Sequence, residues 1–190
     1  IAEQGPRLKA LAEEKGVEIT TLGYYCNAVQ FDEHRRNLEK AIDCAPLYGA
    51  KVVSTFAGAY EYRPVPESYA KFGEVFRDLA KRAEDRGLRL AIENCPMGGT
   101  WDHLTCNLAM NPRAWEMMFQ EVDSPAVGLE WEPAHQMIQL IDPIPQLRVW
   151  AKKIVHLHGK DTSVDWDAVR RRGIYAMKDF APERTPGFGD

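Results

Sequence analysis

Apolar positions along this chain switch between two periods, and the switching is regular. Runs with apolar residues three and four apart, as on one face of a helix, are separated by short aliphatic and β-branched runs that suit strands. The first helical run passes through Leu8, Leu11 and Ala12 and stops at Gly16. VEITTLGYY (17–25) follows as a strand. A second helix starts near Asp32, read as its cap, places Leu38, Ala41, Ile42 and Ala45 on one face and ends at Gly49. Pro46 is expected to kink or shorten its last turns. KVVSTFAG (51–58) is the second strand, and the helix after it carries Tyr69, Phe72, Phe76, Leu79 and Ala83 before Gly87. RLAIEN (89–94) is the third strand. Asn111-Pro112 supplies the cap and first position of a helix through Trp115, Met118, Phe119 and Val122. VGLEWE (127–132) is the fourth strand, Asp142-Pro143 opens a short helix through Leu147 and Trp150, and KIVHLH (153–158) is the fifth.

Strands beginning at 17, 51, 89, 127 and 153 each lead into a connection long enough for a crossover. Such alternation predicts an α/β fold, a parallel sheet covered by helices. Two architectures compete, an open doubly wound sheet and a closed barrel. No GxGxxG or GxxxxGK[ST] follows a strand, so neither nucleotide fingerprint supports the open sheet. A closed barrel takes eight units and typically ~250 residues. Five clear units in 190 residues fit a fragment of a barrel as well as a small open sheet.

Composition narrows the partners. A net charge of −4 argues against a nucleic-acid or anionic-membrane surface. The basic run Arg170-Arg171-Arg172 lies beside Asp165 and Asp167 and is expected to be a solvated helix face. No stretch approaches the ~20 apolar residues of a membrane span. Four cysteines without CxxC spacing, and no secretory pattern, predict reduced thiols in a cytoplasmic protein. The chain opens on Ile1 inside a helical run, from which we expect further sequence upstream.

Chemistry-bearing residues collect at the C-terminal ends of the strands. Asn27 follows the first; Glu93 and Asn94 end the third; Glu132 and His135 follow the fourth; His156, His158, Lys160 and Asp161 end the fifth. Ligands bind at that edge in parallel α/β architectures. Carboxylate and imidazole groups on neighbouring strand tips can converge on one divalent cation, with Mn, Co, Mg and Zn all suited. Singly, each has an ordinary structural reading: a salt-bridged glutamate, or a satisfied core histidine in IVHLH. His34 is expected to be exposed in the first turn of its helix, and His103 lies in a loop.

At these same residues the chain resembles the xylose isomerase-like barrel superfamily, in the branch of sugar phosphate isomerases/epimerases. The phrases LGYYCN (22–27), LAIENCPMGGTW (90–101), NLAMNP (107–112), GLEWEPAH (128–135), IVHLHGKD (154–161) and RTPGFGD (184–190) stand in the family's order. The resemblance implies that residues 1–190 form a single partial TIM-barrel domain of a (β/α)8 barrel. Its five strands would be the third to seventh, with the first, second and eighth missing. It further implies Glu93, Glu132 and His158 as metal ligands. Glu93 would double as catalytic acid/base, and its counterpart would stand on the missing eighth strand. Asn27, His135, His156, Lys160 and Arg184 would bind substrate. The implied reaction is metal-dependent isomerisation or epimerisation of a sugar or sugar phosphate through an ene-diolate. Glu132 departs from the family, which has Asp there, and on that ground Glu132→Asp is expected to strengthen metal binding. Two rival readings are a phosphodiesterase of the related AP-endonuclease type and an inactive truncated barrel. The former is disfavoured because DTSVDWD (161–167) lacks its DxH pair. Unpaired first and fifth strands would also invite association into a homo-oligomer.

Overall fold

In the computed structural model, which describes residues 1–174 and the backbone of 183–184, five strands form one parallel sheet. They are β1 (Thr21–Gly23), β2 (Val52–Thr55), β3 (Arg89–Glu93), β4 (Val127–Trp131) and β5 (Ile154–Leu157), paired in strict chain order. A doubly wound sheet would start in the middle and build outward both ways. Sequential order instead describes an arc, and the arc is strongly curved. In a flat sheet β2 and β5 would stand about 14 Å apart, three spacings of ~4.8 Å. Here Cα atoms of these strands approach within 8 Å. The result is a five-stranded half-barrel.

The helices are α1 (Gly5–Glu14), α2 (Asp32–Cys44), α3 (Val65–Glu84), α4 (Pro112–Glu121), α5 (Pro133–Met137), α6 (Pro143–Trp150) and α7 (Trp166–Arg172). Alternate strand residues Val53, Leu90, Ile92, Leu129 and Trp131 are buried in the core with α3 and α4. Phe72 and Phe76 of α3 stack with ring centroids 4.5 Å apart, and fully buried Trp115 of α4 donates its Nε1–H to the Ala109 carbonyl at 2.7 Å. Asn111 caps α4 by accepting from the Ala114 amide, and Asp142 caps α6 through the Ile144 amide.

Several boundaries differ from the sequence expectation. β1 covers only 21–23 of the predicted 17–25: Val17 is 60% exposed, and Ile19 packs against the core without joining the ladder. Asp32 is the first helical residue of α2 rather than its cap, which is Phe31. Pro46 shortens the helix as expected: α2 stops at Cys44, a 3-10 turn (Ala45–Tyr48) takes over, and Gly49 closes it in the left-handed region at φ +79°. Arg170, Arg171 and Arg172 are exposed on α7, as expected for a solvated face. Beyond the sheet, β6 (Asp161–Thr162) pairs antiparallel with β7 (Glu183–Arg184).

Candidate functional site

In-register parallel neighbours point their side chains the same way. The pairs Ser54↔Ala91, Ala91↔Gly128 and Glu93↔Glu130 therefore put Ser54, Glu93 and Glu130 on one face. It is the concave one: Glu130 on β4 accepts from the Ser54 hydroxyl on β2 at 2.6 Å and from Tyr25, just past β1, at 2.8 Å. Both bonds cross the inside of the curve. Polar groups stack there in two layers. The lower holds Thr21, Ser54, Glu130 and His156. The upper, at the C-terminal edge, holds Glu93, Glu132, His135, His158 and Lys160.

The upper layer converges. Glu93, Glu132 and His158 each present one ligand atom, and the three atoms lie within 4.8 Å of one another. His158 Nδ1 is 3.6 Å from Glu93 Oε1 and 3.4 Å from Glu132 Oε2. His135, three residues after Glu132 on α5, brings Nε2 to 3.0 Å from Glu132 and 3.6 Å from Glu93. Lys160 Nζ is 2.9 Å from Glu132 Oε1. A depression of about 570 Å³ opens over these groups, lined also by Tyr25, Phe56 and Leu157.

Backbone placement is secured by two buried amides. Asn94 donates to the Glu132 carbonyl at 3.0 Å and accepts from the Glu132 amide at 2.9 Å. Asn107 donates to the carbonyls of Glu93 and Cys95, each at 2.8 Å, and accepts from the Ala57 amide at 3.0 Å. The strand ends that carry Glu93 and Glu132 are thus both held by side chains after the sheet ladder stops.

Charge is crowded. Burial opposes protonation of His135, but Cys95, Glu132 and Glu93 around it outweigh burial and raise its pKa to about 11. Burial likewise pushes Glu132 upward, yet His135 and Lys160 hold it below the usual carboxylate range. The Tyr25 phenol is held protonated far above its ordinary range by burial and by Glu130. Lys160 and His135 both approach Oε1, at 2.9 and 3.0 Å, so Oε2 of this fully buried carboxylate keeps a lone pair toward the Glu93/His158 group, with His158 Nδ1 3.4 Å away. A buried carboxylate short of donors is costly. The donor set, two carboxylates and an imidazole, is one that divalent cations take. The residues fit a metal on both counts.

A family model described as the xylose isomerase-like TIM barrel matches residues 2–189. The chain belongs to the xylose isomerase-like TIM-barrel family. Solved structures share the half-barrel at low identity. A xylose isomerase domain protein from Planctomyces limnophilus is 18% identical with a TM-score of 0.76, over 100% of this chain and 67% of that one. A 3-keto-D-glucoside 4-epimerase from E. coli is 15% identical with a TM-score of 0.68, over 83% and 64%. A D-allulose 3-epimerase from Methylomonas sp., in complex with D-allulose, is 18% identical with a TM-score of 0.63, over 79% and 54%. The chain thus matches between about half and two thirds of the length of these relatives. No curated protein matches the sequence at a significant level.

Within this xylose isomerase-like half-barrel, the sequence candidates divide. Glu93, Glu132, His158, His135 and Lys160 come together. His156 lies one layer lower, with Nε2 3.8 Å from Glu130. Asn27 does not join them. It is buried, its amide donates to the Ala59 carbonyl and to Glu61, and its oxygen accepts from the Ala59 and Gln30 amides. Those bonds occupy its polar atoms in bracing two loops. Arg184 pairs through its backbone with Asp161, and its side chain lies outside the described residues. His34 is part-buried, not exposed, and accepts from the Asn27 amide at 3.2 Å. His103 is exposed in its loop. Glu130, Tyr25 and Asn107 are not among the strand-tip candidates of the sequence, whereas Asn94 is. A signal for Glu130 was present, since it stands two residues before Glu132 and so on the same strand face.

Proposed function

We propose that residues 1–190 are a single partial-barrel domain, the larger part of a metal-dependent isomerase or epimerase acting on a sugar or sugar phosphate. The observation that carries this reading is the convergence of Glu93, Glu132 and His158 within 4.8 Å at the C-terminal edge of a parallel half-barrel. In this reading those three residues hold a divalent cation, Mn, Co, Mg or Zn. The chemistry such a cation supplies is polarisation of a carbonyl and its neighbouring hydroxyl. Glu93, at the pocket floor, takes the proton from the carbon beside the carbonyl. Lys160 and His135 hold hydroxyl or phosphate oxygens, and Phe56, Leu157 and Tyr25 form a wall that excludes water. The second acid/base carboxylate, which returns the proton, comes from the barrel's eighth strand. That strand and the first two would pair with the edges of β5 and β1. The sugar epimerases among the structural relatives support this substrate class, and the four free cysteines fit a reducing, cytoplasmic setting.

Calorimetric titration with Mn²⁺ is expected to show one equivalent bound per chain, with ketose epimerisation appearing when the full barrel is supplied. Failure to bind Mn²⁺, Co²⁺, Mg²⁺ or Zn²⁺ at millimolar concentration would sink the reading.

On this geometry we predict the opposite of one sequence-based expectation. The Glu132 carboxylate already reaches His135, His158 and Lys160, and removing a methylene would retract it by about 1.5 Å, one C–C bond. Glu132→Asp is therefore expected to weaken Mn²⁺ binding by about tenfold in the same titration, since ligand distances tolerate only ~0.2 Å. Unchanged or tighter binding would show that the strand end shifts to compensate.

A further inference from the structure

Glu130 is the carboxylate on the concave face that the proposed reaction leaves without a task. It is fully buried, and burying a carboxylate is expensive unless it is paired and hydrogen-bonded. Its surroundings are rigid. Oε2 accepts from Tyr25 and Oε1 from Ser54, and Ser54 in turn lies 2.9 Å from Thr21 Oγ1. Oε1 is also approached distantly by His156 Nε2, at 3.8 Å, and more closely by His158, whose Nε2 stands 3.3 Å away. The opposite ring nitrogen, Nδ1, faces Glu93 and Glu132. One imidazole therefore spans the two layers, with a different nitrogen toward each.

We propose that Glu130 is a positioning residue that fixes the orientation and tautomer of His158. As the nearest acceptor to Nε2 it favours the proton there, leaving Nδ1 unprotonated and aimed at the Glu93/Glu132 pair. This deepens the proposed metal site and rests on that reading. A neutral imidazole carries one proton on two nitrogens, so an acceptor on one side decides which nitrogen has a lone pair to give. His158 needs such a device, because it sits at the end of β5, a strand with one sheet neighbour among the described residues, and its side chain is 36% exposed. At 3.3 Å the pair stands outside the usual N–H···O range, so Glu130 faces Nε2 as its nearest acceptor rather than through a closed hydrogen bond.

A competing arrangement is a second cation held by Glu130, His156 and His158, whose ligand atoms also lie within 4.8 Å. The hydroxyls of Tyr25 and Ser54 argue against it, since both already donate to Glu130.

The test compares the parent protein with Glu130→Gln, which keeps an acceptor oxygen and the shape, and Glu130→Leu, which removes the acceptor. Nitrogen-15 NMR of the metal-free protein, at a pH where the imidazole is neutral, should show His158 protonated on Nε2 in the parent and in Glu130→Gln. Glu130→Leu should give a mixture of tautomers. In Mn²⁺ titrations Glu130→Leu should lose about 10–100-fold in affinity, the usual effect of removing an outer partner of a histidine ligand, and Glu130→Gln much less. Thermal melts verify that each variant is folded. If Glu130→Leu unfolds, Glu130→Gln and the parent tautomer still decide, because a parent His158 protonated on Nδ1 overturns the proposal. So does an unchanged tautomer in a folded Glu130→Leu, or two equivalents of Mn²⁺ in the parent. A parent that binds no metal yet shows the tautomer change in Glu130→Leu would sustain the positioning role and reject the metal reading instead.

Discussion

Replacing His158 with alanine will lower Mn²⁺ affinity by at least ~100-fold, more than the ~10–100-fold that follows loss of an outer partner. The reason is geometric. His158 is the only nitrogen donor of the Glu93/Glu132/His158 group, and the two carboxylates left behind repel each other without it. The cost to the fold should be small by comparison, because the side chain is 36% exposed and belongs to none of the hydrophobic core. Substitutions at such positions usually change stability by less than ~0.5 kcal/mol. A thermal melt near that of the parent, combined with collapsed affinity in calorimetry, is the expected pair of results. Parent-like affinity in the variant would remove His158 from the ligand set.

Gly128→Val will have the largest effect on folding. Gly128 lies on the concave side of β4, in register with Ala91. A Cβ added there would run into the backbone carbonyl of Lys153 and the side chain of Val155. Those groups lead into β5, and the β4–β5 register shifts between Leu129 and Glu130. A side chain can rotate away from an intruding methyl, whereas a strand's backbone has to move. Overpacking typically costs 1–3 kcal/mol, and more where backbone is displaced. We expect about 3 kcal/mol for alanine and more for valine. At roughly 2–4 °C per kcal/mol in a domain of this size, the alanine variant should melt about 6–12 °C lower. Gly87→Ala is the control, because the added methyl meets open space and only the φ of +65° resists it, a cost near ~1 kcal/mol. If Gly128→Ala melts with or above this control, β5 does not approach β4 as closely as described. β5 carries His156 and leads directly into His158, so the same variant should lose metal affinity.

Much of this was legible in the sequence because strong periodicity and turn chemistry agreed. Strands around Leu90–Ile92 and Val127–Leu129, and the Asn111-Pro112 helix start, lie where apolar spacing put them. The strand-tip positions of Glu93, Glu132 and His158 followed from the same pattern. What failed was whatever depends on three-dimensional neighbours. Residues 17–20 have strand-like composition but no partner strand in register, so they stay out of the sheet. α5 spans five residues, too short for a helical period, and yet it is the element that turns His135 back toward Glu132. Asn27 carries the same amide whether it meets a substrate or a backbone carbonyl, and only the loop packing shows which.

The two anchoring amides also separate what must stay fixed from what is free to vary. Asn107 grips the backbone of Glu93, and Asn94, next in the chain, grips that of Glu132. Between these anchors the loop carries exposed or part-exposed residues such as Met97, Thr100, Asp102 and His103. Substitutions there leave both carboxylates in register, because neither takes its position from the loop's own packing. Exposed positions of this stretch such as Met97, Thr100, Asp102 and His103 can therefore change one at a time without moving either carboxylate, whereas fully buried Leu104 in the same stretch cannot.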